Sequence, residues 1–248
     1  MLNKKKKFIK LNKQKTLGNS STKYVGVIFD FNGVLLWDSL IQEKAWQNFS
    51  MLFRGSLLSS EEVSHVIHGR TNSFILNYLN EGNFLNKKQV KELSEKKEKI
   101  YRDLCLSMKS NFQLSPGSEE FLNFCKENGI PCAIATASPK VNLDFFVKHL
   151  QLNRWFNSSV MVYDDGSFPG KPAPDIYLLA SGKLNLRPQD CIVIEDSISG
   201  LKSAITAGIG KIYAMNSTES DIELRKTEGV SDVINQVNEI PRNIFWGL

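Results

Sequence analysis

Hydrophobic positions along the chain follow two alternating patterns. Short apolar runs occur at 24–30 (YVGVIFD), 130–137 (IPCAIATA), 159–163, 191–196 (CIVIED) and 209–215 (IGKIYAM). Runs this short, bounded by Gly, Asn or Pro, predict strands of a parallel sheet buried on both faces. Between them the period lengthens. Ile41, Ala45, Trp46, Phe49 and Leu52 share one helical face of 39–54. Val90, Leu93, Ile100, Tyr101, Leu104 and Met108 recur at helical spacing within 83–115, a stretch without Gly or Pro. That stretch predicts a long amphipathic helix whose lysines form a solvated face, and 39–112 is expected to be helical throughout.

From residue 116 strands and helices alternate. Pro116-Gly117-Ser118 opens a helix that Gly129 closes; 141–150 and 174–183 are helical; Ser197 caps a helix reaching Ala207. A last pair of elements, near 232–234 and 236–245, finishes the chain. Alternation of this kind predicts an α/β fold, a Rossmann-like doubly wound parallel sheet core with an inserted α-helical cap. The core is expected at 24–38 and 113–248 and the cap at 39–112. No internal repeat interrupts the series.

Charge changes the picture at the start of the chain. The formal net charge is +5, yet residues 1–23 carry eight lysines and no acid. The remainder holds 23 basic against 26 acidic residues, so the basic excess belongs to a tail expected to be disordered. A nucleic-acid-binding domain would carry that excess on its folded body, so no nucleic-acid partner is expected. No apolar run is long enough to span a membrane. The four cysteines, Cys105, Cys125, Cys132 and Cys191, lack zinc-binding spacing, and a secretory signal is not expected, because no apolar stretch follows the lysines. Free thiols in a reducing, cytoplasmic setting are the expectation.

Candidate chemistry gathers at strand ends, where ligands bind in open α/β sheets. The first strand ends in Asp30, the second in Thr136, Ala137 and Ser138, and the fourth in Glu195 and Asp196; Lys171 lies in the loop GKPAPD before a helix. Carboxylates that close repel unless a cation lies between them. Mg²⁺ takes carboxylate and phosphate oxygens. A lysine and a hydroxyl beside it suit the charge of a transferring phosphoryl group. The spacing therefore suggests Mg²⁺-dependent phosphoryl transfer.

Four segments carry a resemblance to the haloacid dehalogenase-like (HAD) superfamily: FDFNGVL (29–35), IATAS (134–138), GKPAPDIY (170–177) and VIEDSISGLKSA (193–204). Their order and spacing match over 24–215, and the last two are similar to the branch containing β-phosphoglucomutase and phosphoglycolate phosphatase. The resemblance implies a phosphatase acting on a small phosphorylated metabolite through an aspartyl-phosphate. In it Asp30 is the nucleophile, Thr136 and the Ala137 amide hold phosphoryl oxygens, and Lys171 pairs with both Asp30 and the phosphate. Asp30, Asp196, the backbone carbonyl of Asn32 and, through water or from behind, Glu195 would form the Mg²⁺ site. Ser138 ends the same phosphate-binding segment.

The chain departs from the family at Asn32, where most of its phosphatases carry an acid that protonates the leaving group. An amide cannot titrate near neutrality. Slower turnover is implied, with three alternatives open: substrates with good leaving groups, a proton from the cap, or phosphate binding without turnover. A deamidated Asn32-Gly33 pair would restore an acid. The superfamily's metal-independent dehalogenases carry an aromatic residue here. Its phosphonoacetaldehyde hydrolases carry a small one and a cap Schiff-base lysine, whereas the lysines of 83–109 follow the solvated face. A phosphosugar mutase would need acid–base help in both half-reactions. The family's next acid lies seven residues after the nucleophile; Asp38 lies eight after Asp30 and reads as a cap of the helix starting at Ser39.

In the cap, 65–72 (HVIHGRTN) is expected to form the substrate loop. Gly69 would bring backbone close, Arg70 would pair with an anionic group, and His68 could supply the proton that Asn32 cannot. Trp37 and Trp46 are expected to pack, and Asp164 and Asp165 to sit in a turn.

Overall fold

The computed structural model describes residues 24–67, 70–217 and 221–246. The basic tail and the residues His68 and Gly69 lie outside that set. The chain begins with β1 (Gly26–Phe29), then α1 (Ser39–Arg54), α2 (Ser60–Glu62, continued as a π-helical stretch Val63–Ile67), α3 (Asn72–Leu79) and α4 (Lys87–Ser107). There follow α5 (Ser118–Glu127), β2 (Cys132–Pro139), α6 (Lys140–His149), β3 (Met161–Asp164), α7 (Asp175–Lys183), β4 (Cys191–Glu195), α8 (Ile198–Thr206), β5 (Lys211–Met215), α9 (Asp221–Lys226) and β6 (Asp232–Ile234).

Among the described residues six strands form one parallel sheet, in the order β3-β2-β1-β4-β5-β6. The order reverses about β1, so Asp30 emerges at the topological switch point. Alternate residues of each strand face opposite layers. Ile192 and Ile194 pack with Phe121 of α5 and Phe146 of α6, while Cys191 and Val193 pack with Ile176 of α7 and Leu201 of α8. Helices α1 to α4 bury a separate apolar cluster of their own, centred on Trp46, Phe49, Ile75 and Leu79. The doubly wound α/β core and its helical insertion are as the hydrophobic pattern implies.

Several boundaries differ. The helical segment is interrupted: Gly55, at φ 77°, ends α1, and a capping box of Ser59 with Glu62 restarts the chain. The long helix starts at Lys87, not 83, because Asn86 and Gln89 form a second capping box. The second strand runs on to Pro139, with a register shift between Thr136 and Pro139. Helix α9 had no apolar signal strong enough to predict it. The final segment forms two 3₁₀ turns, Val237–Glu239 and Arg242–Phe245. Ser197 does cap α8, accepting from the Gly200 amide, and Asp164 and Asp165 accept from the Gly166 and Ser167 amides in a turn. Trp46 is packed, whereas Trp37 is 43 % exposed. No helix among the described residues is long and apolar enough to cross a membrane. The four cysteines are free, three of them buried.

Candidate active site

The carboxyl ends of β1, β2 and β4 bring the motif residues to one point. Asp30 is fixed by its amide, which donates to Ile194 O at 3.0 Å. From the loop before α7, Lys171 Nζ donates to Asp30 Oδ1 at 2.5 Å and to Glu195 Oε2 at 2.6 Å. The same Oε2 accepts from Tyr177 Oη. Glu195 Oε1 accepts from the Ser197 amide at 3.1 Å and hydroxyl at 2.7 Å. Both oxygens of Glu195 are thus taken by protein donors that orient Lys171 and the start of α8. Gly200 makes this possible, because a Cβ there would lie 2.0 Å from Glu195 Cδ. Asp196 Oδ2 accepts from Ser217 Oγ at 3.0 Å. Gly33 has φ +83°, and a Cβ there would lie 1.8 Å from Asp196 Oδ2, so only glycine fits.

Oxygens of Asp30, Glu195 and Asp196 lie within 4.8 Å of one another, and all three residues are buried. Burial, with repulsion from Glu195, holds the Asp30 carboxyl well above the ordinary range despite Lys171. Burial and Glu195 likewise push Asp196 up to about 7. Burial alone would lower the Lys171 ammonium; the carboxylates of Asp30 and Glu195 reverse this and hold it above its usual value. One buried ammonium against three buried carboxyls leaves a deficit of positive charge. A hard divalent cation with oxygen ligands fits that donor set.

Asn32 is engaged at both ends. Its Nδ2 donates to Asp38 Oδ2 at 2.8 Å, and its Oδ1 accepts from Ser138 Oγ at 2.8 Å and Thr136 Oγ1 at 3.4 Å. Thr136 Oγ1 in turn accepts from the Ser138 amide at 3.0 Å. Asp38 occupies the N-cap position of α1, but its side chain does not cap the helix. It makes no side-chain cap hydrogen bond, is 1 % exposed, and also accepts from Gln42 Nε2 at 3.1 Å and Tyr101 Oη at 2.5 Å. Its burial, opposed by these donors, raises the carboxyl above the ordinary range.

A cavity of about 170 Å³ lies over these residues, walled by core and insertion together. The core contributes Asp30, Asn32, Thr136, Ala137, Ser138, Lys171, Glu195 and Asp196. The helical block contributes Gln42, Glu43, Trp46, Ile67, Arg70, Asn72, Lys97 and Glu98. Arg70 lines the cavity, with its guanidinium 4.9 Å from the Phe74 ring centre. His65, by contrast, is exposed, with Nδ1 3.0 Å from Glu61 O.

The solvated-lysine reading of 83–109 fails at Lys97, which is 2 % exposed. Its Nζ donates to Gln42 Oε1 at 2.7 Å and Glu98 Oε1 at 3.0 Å and lies 4.8 Å from the Trp46 ring centre. Glu98 also accepts from Asn72 Nδ2 at 2.6 Å and from Asn142 Nδ2, on core helix α6, at 2.5 Å. Arg102 Nη1 donates to Asn142 Oδ1 at 2.9 Å. A buried polar chain therefore ties the helical block to the core. The periodicity held a signal for it: Lys97 stands four residues from both Leu93 and Tyr101, on the apolar stripe. Tyr177 gave no comparable signal, whereas Ser217 follows the β5 end and could have been sought there.

A model of the family described as haloacid dehalogenase-like hydrolase matches residues 24–208. The phosphorylated carbohydrates phosphatase of Thermotoga maritima is 34 % identical over 156 residues, 59 % of this chain and 68 % of that one. Hexitol phosphatase A of Escherichia coli is 27 % identical over 214 residues, 86 % of this chain and 92 % of that one. A HAD hydrolase of family IA, variant 3, from Entamoeba histolytica superposes with a TM-score of 0.82 at 34 % identity, covering 90 % of this chain and 98 % of that one. The β-phosphoglucomutase of Clostridium difficile shares the fold, with a TM-score of 0.74 at 23 % identity over 90 % of this chain and 96 % of that one. With a family model spanning most of its length and the motif residues converging at the switch point, the chain belongs to the haloacid dehalogenase-like hydrolases.

Proposed function

We propose that this chain is a Mg²⁺-dependent phosphatase of a small phosphorylated metabolite, a sugar or polyol phosphate by analogy with the relatives named above. The observation that carries this is the contact of Lys171 with Asp30 at 2.5 Å beneath a cavity lined by the Thr136–Ser138 segment. Asp30 would attack phosphorus, forming the acyl-phosphate bond as the bond from phosphorus to the leaving oxygen breaks. Water then attacks phosphorus and releases inorganic phosphate, returning Asp30 as a carboxylate. Lys171 holds one Asp30 oxygen and offsets the charge of the incoming phosphoryl group. The Ala137 amide and the hydroxyls of Thr136 and Ser138, once turned from Asn32 Oδ1, would hold phosphoryl oxygens. Mg²⁺, held by Asp30, Asp196 and the residue 32 carbonyl, would supply the positive charge that the three carboxyls lack. Glu195 acts through Lys171 and α8, because both its oxygens are already engaged.

Asn32 supports a restriction on this activity. It cannot protonate the departing oxygen, help otherwise worth about 10²–10⁴-fold. Good leaving groups, such as acyl or anomeric phosphates, are therefore favoured. The engagement of both ends of its amide also supports a second reading, phosphate binding with little turnover. Phosphate release should be measured over a panel of phosphometabolites and an aryl phosphate, with Mg²⁺ or with chelator, for wild type and D30N. Mg²⁺-dependent release lost in D30N supports the phosphatase. Silence in wild type alongside binding of inorganic phosphate supports the second reading.

A further inference from the structure

Gly170 stands immediately before Lys171, yet its backbone does not require glycine: its φ lies outside the left-handed region. Its bareness has another cause. A Cβ on Gly170 would lie 2.9 Å from Thr71 Cγ2, closer than real Cβ atoms approach a neighbour. Thr71 belongs to the helical block, so the contact crosses the seam between block and core. The methyl cannot easily turn away. Thr71 is the N-cap of α3, and its Oγ1 accepts from the Phe74 amide at 3.3 Å, which fixes the side-chain rotamer. Its neighbour Asn72 is held as well, through Glu98 to Asn142 on the core. On either side of Thr71, Arg70 and Asn72 line the cavity, as does Lys171 beside Gly170.

We propose that Gly170 is a bare seat on which the cap's Thr71 closes, and that this seat sets how far the cap descends over Lys171 and Asp30. Gly170 and Thr71 are then positioning residues: neither touches the phosphoryl group, but their contact fixes the height of Arg70 and Asn72 above it. A methyl at 170 props these residues up and admits water, and a displacement of about 1 Å can cost up to about a hundredfold in rate. Shortening Thr71 to Ser removes the obstructing methyl and keeps the capping hydroxyl.

The inference rests on the phosphatase reading for its kinetic consequence but not for the contact itself, so two measurements separate the two. In the first, the double variant T71C/G170C is exposed to oxidised glutathione, which accepts the two electrons as the thiols join. The 2.9 Å from Thr71 Cγ2 to a Cβ built on Gly170 matches the about 3 Å between a Cβ and the far sulfur of a disulfide. A 71–170 cross-link in peptide maps, with phosphate release lost on oxidation and recovered with dithiothreitol, is the expected result. In the second, G170A lowers kcat/KM for the preferred phosphometabolite about tenfold, and T71S/G170A recovers most of the loss relative to T71S alone. Failure of the cross-link to form, or a G170A loss that T71S does not relieve, would overturn the seat. If wild type releases no phosphate, the phosphatase reading falls and the cross-link alone decides whether the seat exists.

Discussion

Asn32 donates its side-chain amide to the buried carboxylate of Asp38 at 2.8 Å, and this bond defines what residue 32 can do. A carboxylic acid at position 32 would face Asp38 across the same gap. Two carboxyls so placed share a proton, and one of them titrates well above its ordinary value. In this chain the amide removes that conflict, and with it the acid–base group.

The variant N32D tests the trade directly. Its turnover of alkyl phosphates should rise, by about tenfold or more, because a protonated acid then faces the leaving group. Its stability should fall relative to wild type as pH rises from about 4 toward neutrality. A carboxyl whose folded pKa is raised contributes stability at low pH and loses it as pH passes that value. Thermal melts at several pH values, beside phosphate release, check both. A uniform penalty at all pH values would contradict the shared-proton account.

Asp38 should matter more to stability than its place before a helix suggests. D38A strands Asn32, Gln42 and Tyr101, its three donors. A loss of about 3 kcal/mol is expected by urea unfolding, against about 1 kcal/mol for Y101F, which removes one donor together with its need for a partner. Equal effects would mean that Asp38 is not the hub.

Much of this was legible in the residues. Short apolar runs ending in acid located β1 and β4, and the strand-end rule led from them to Asp30, Glu195, Asp196 and Thr136. The general pattern of 83–109, an apolar stripe with lysines outside it, misleads at Lys97. Lys97 stands on that stripe, four residues from Leu93 and Tyr101, and Glu98 is buried beside it. Only their long-range partners, Gln42, Asn72 and Asn142, show why burial is tolerated. The Asp38 side chain departs from the cap reading for a similar reason, since a cap is a local inference and its partner Tyr101 is 63 residues away. His68 and Gly69, expected in the substrate loop, lie outside the described residues.

The buried chain through Glu98 gives a further expectation. Burial alone would raise the Glu98 carboxyl, but Lys97, Asn72 and Asn142 outweigh it and hold it below its ordinary value. E98A leaves the buried Lys97 ammonium with Gln42 but no counter-charge, and the amides of Asn72 and Asn142 without their acceptor. Its cost should be about 3–5 kcal/mol in urea unfolding, the range for breaking a buried pair from one side. A cost below about 1 kcal/mol would contradict a native tie between block and core.

Acid should weaken the helical block at a definable step. Hydrogen bonding to Arg54, at 2.7 Å, holds the Glu62 carboxyl at about 2. The ordinary value is 4.5, so the unfolded chain binds this proton first. The contribution is intact above about 4.5 and is lost as pH falls from there to about 2. E62Q should therefore flatten the acid limb of the stability curve; an unchanged limb would contradict the pairing.

The central claim is that Asp30 carries the phosphoryl group. Turnover of the best substrate should be quenched with borohydride, which reduces an aspartyl-phosphate to homoserine, and the peptide containing residue 30 mapped by mass. Homoserine at position 30 in wild type, dependent on substrate and Mg²⁺ and absent from D30N, is the expected result. Phosphate release at full rate with Asp30 unmodified, or a label on another residue, would contradict it.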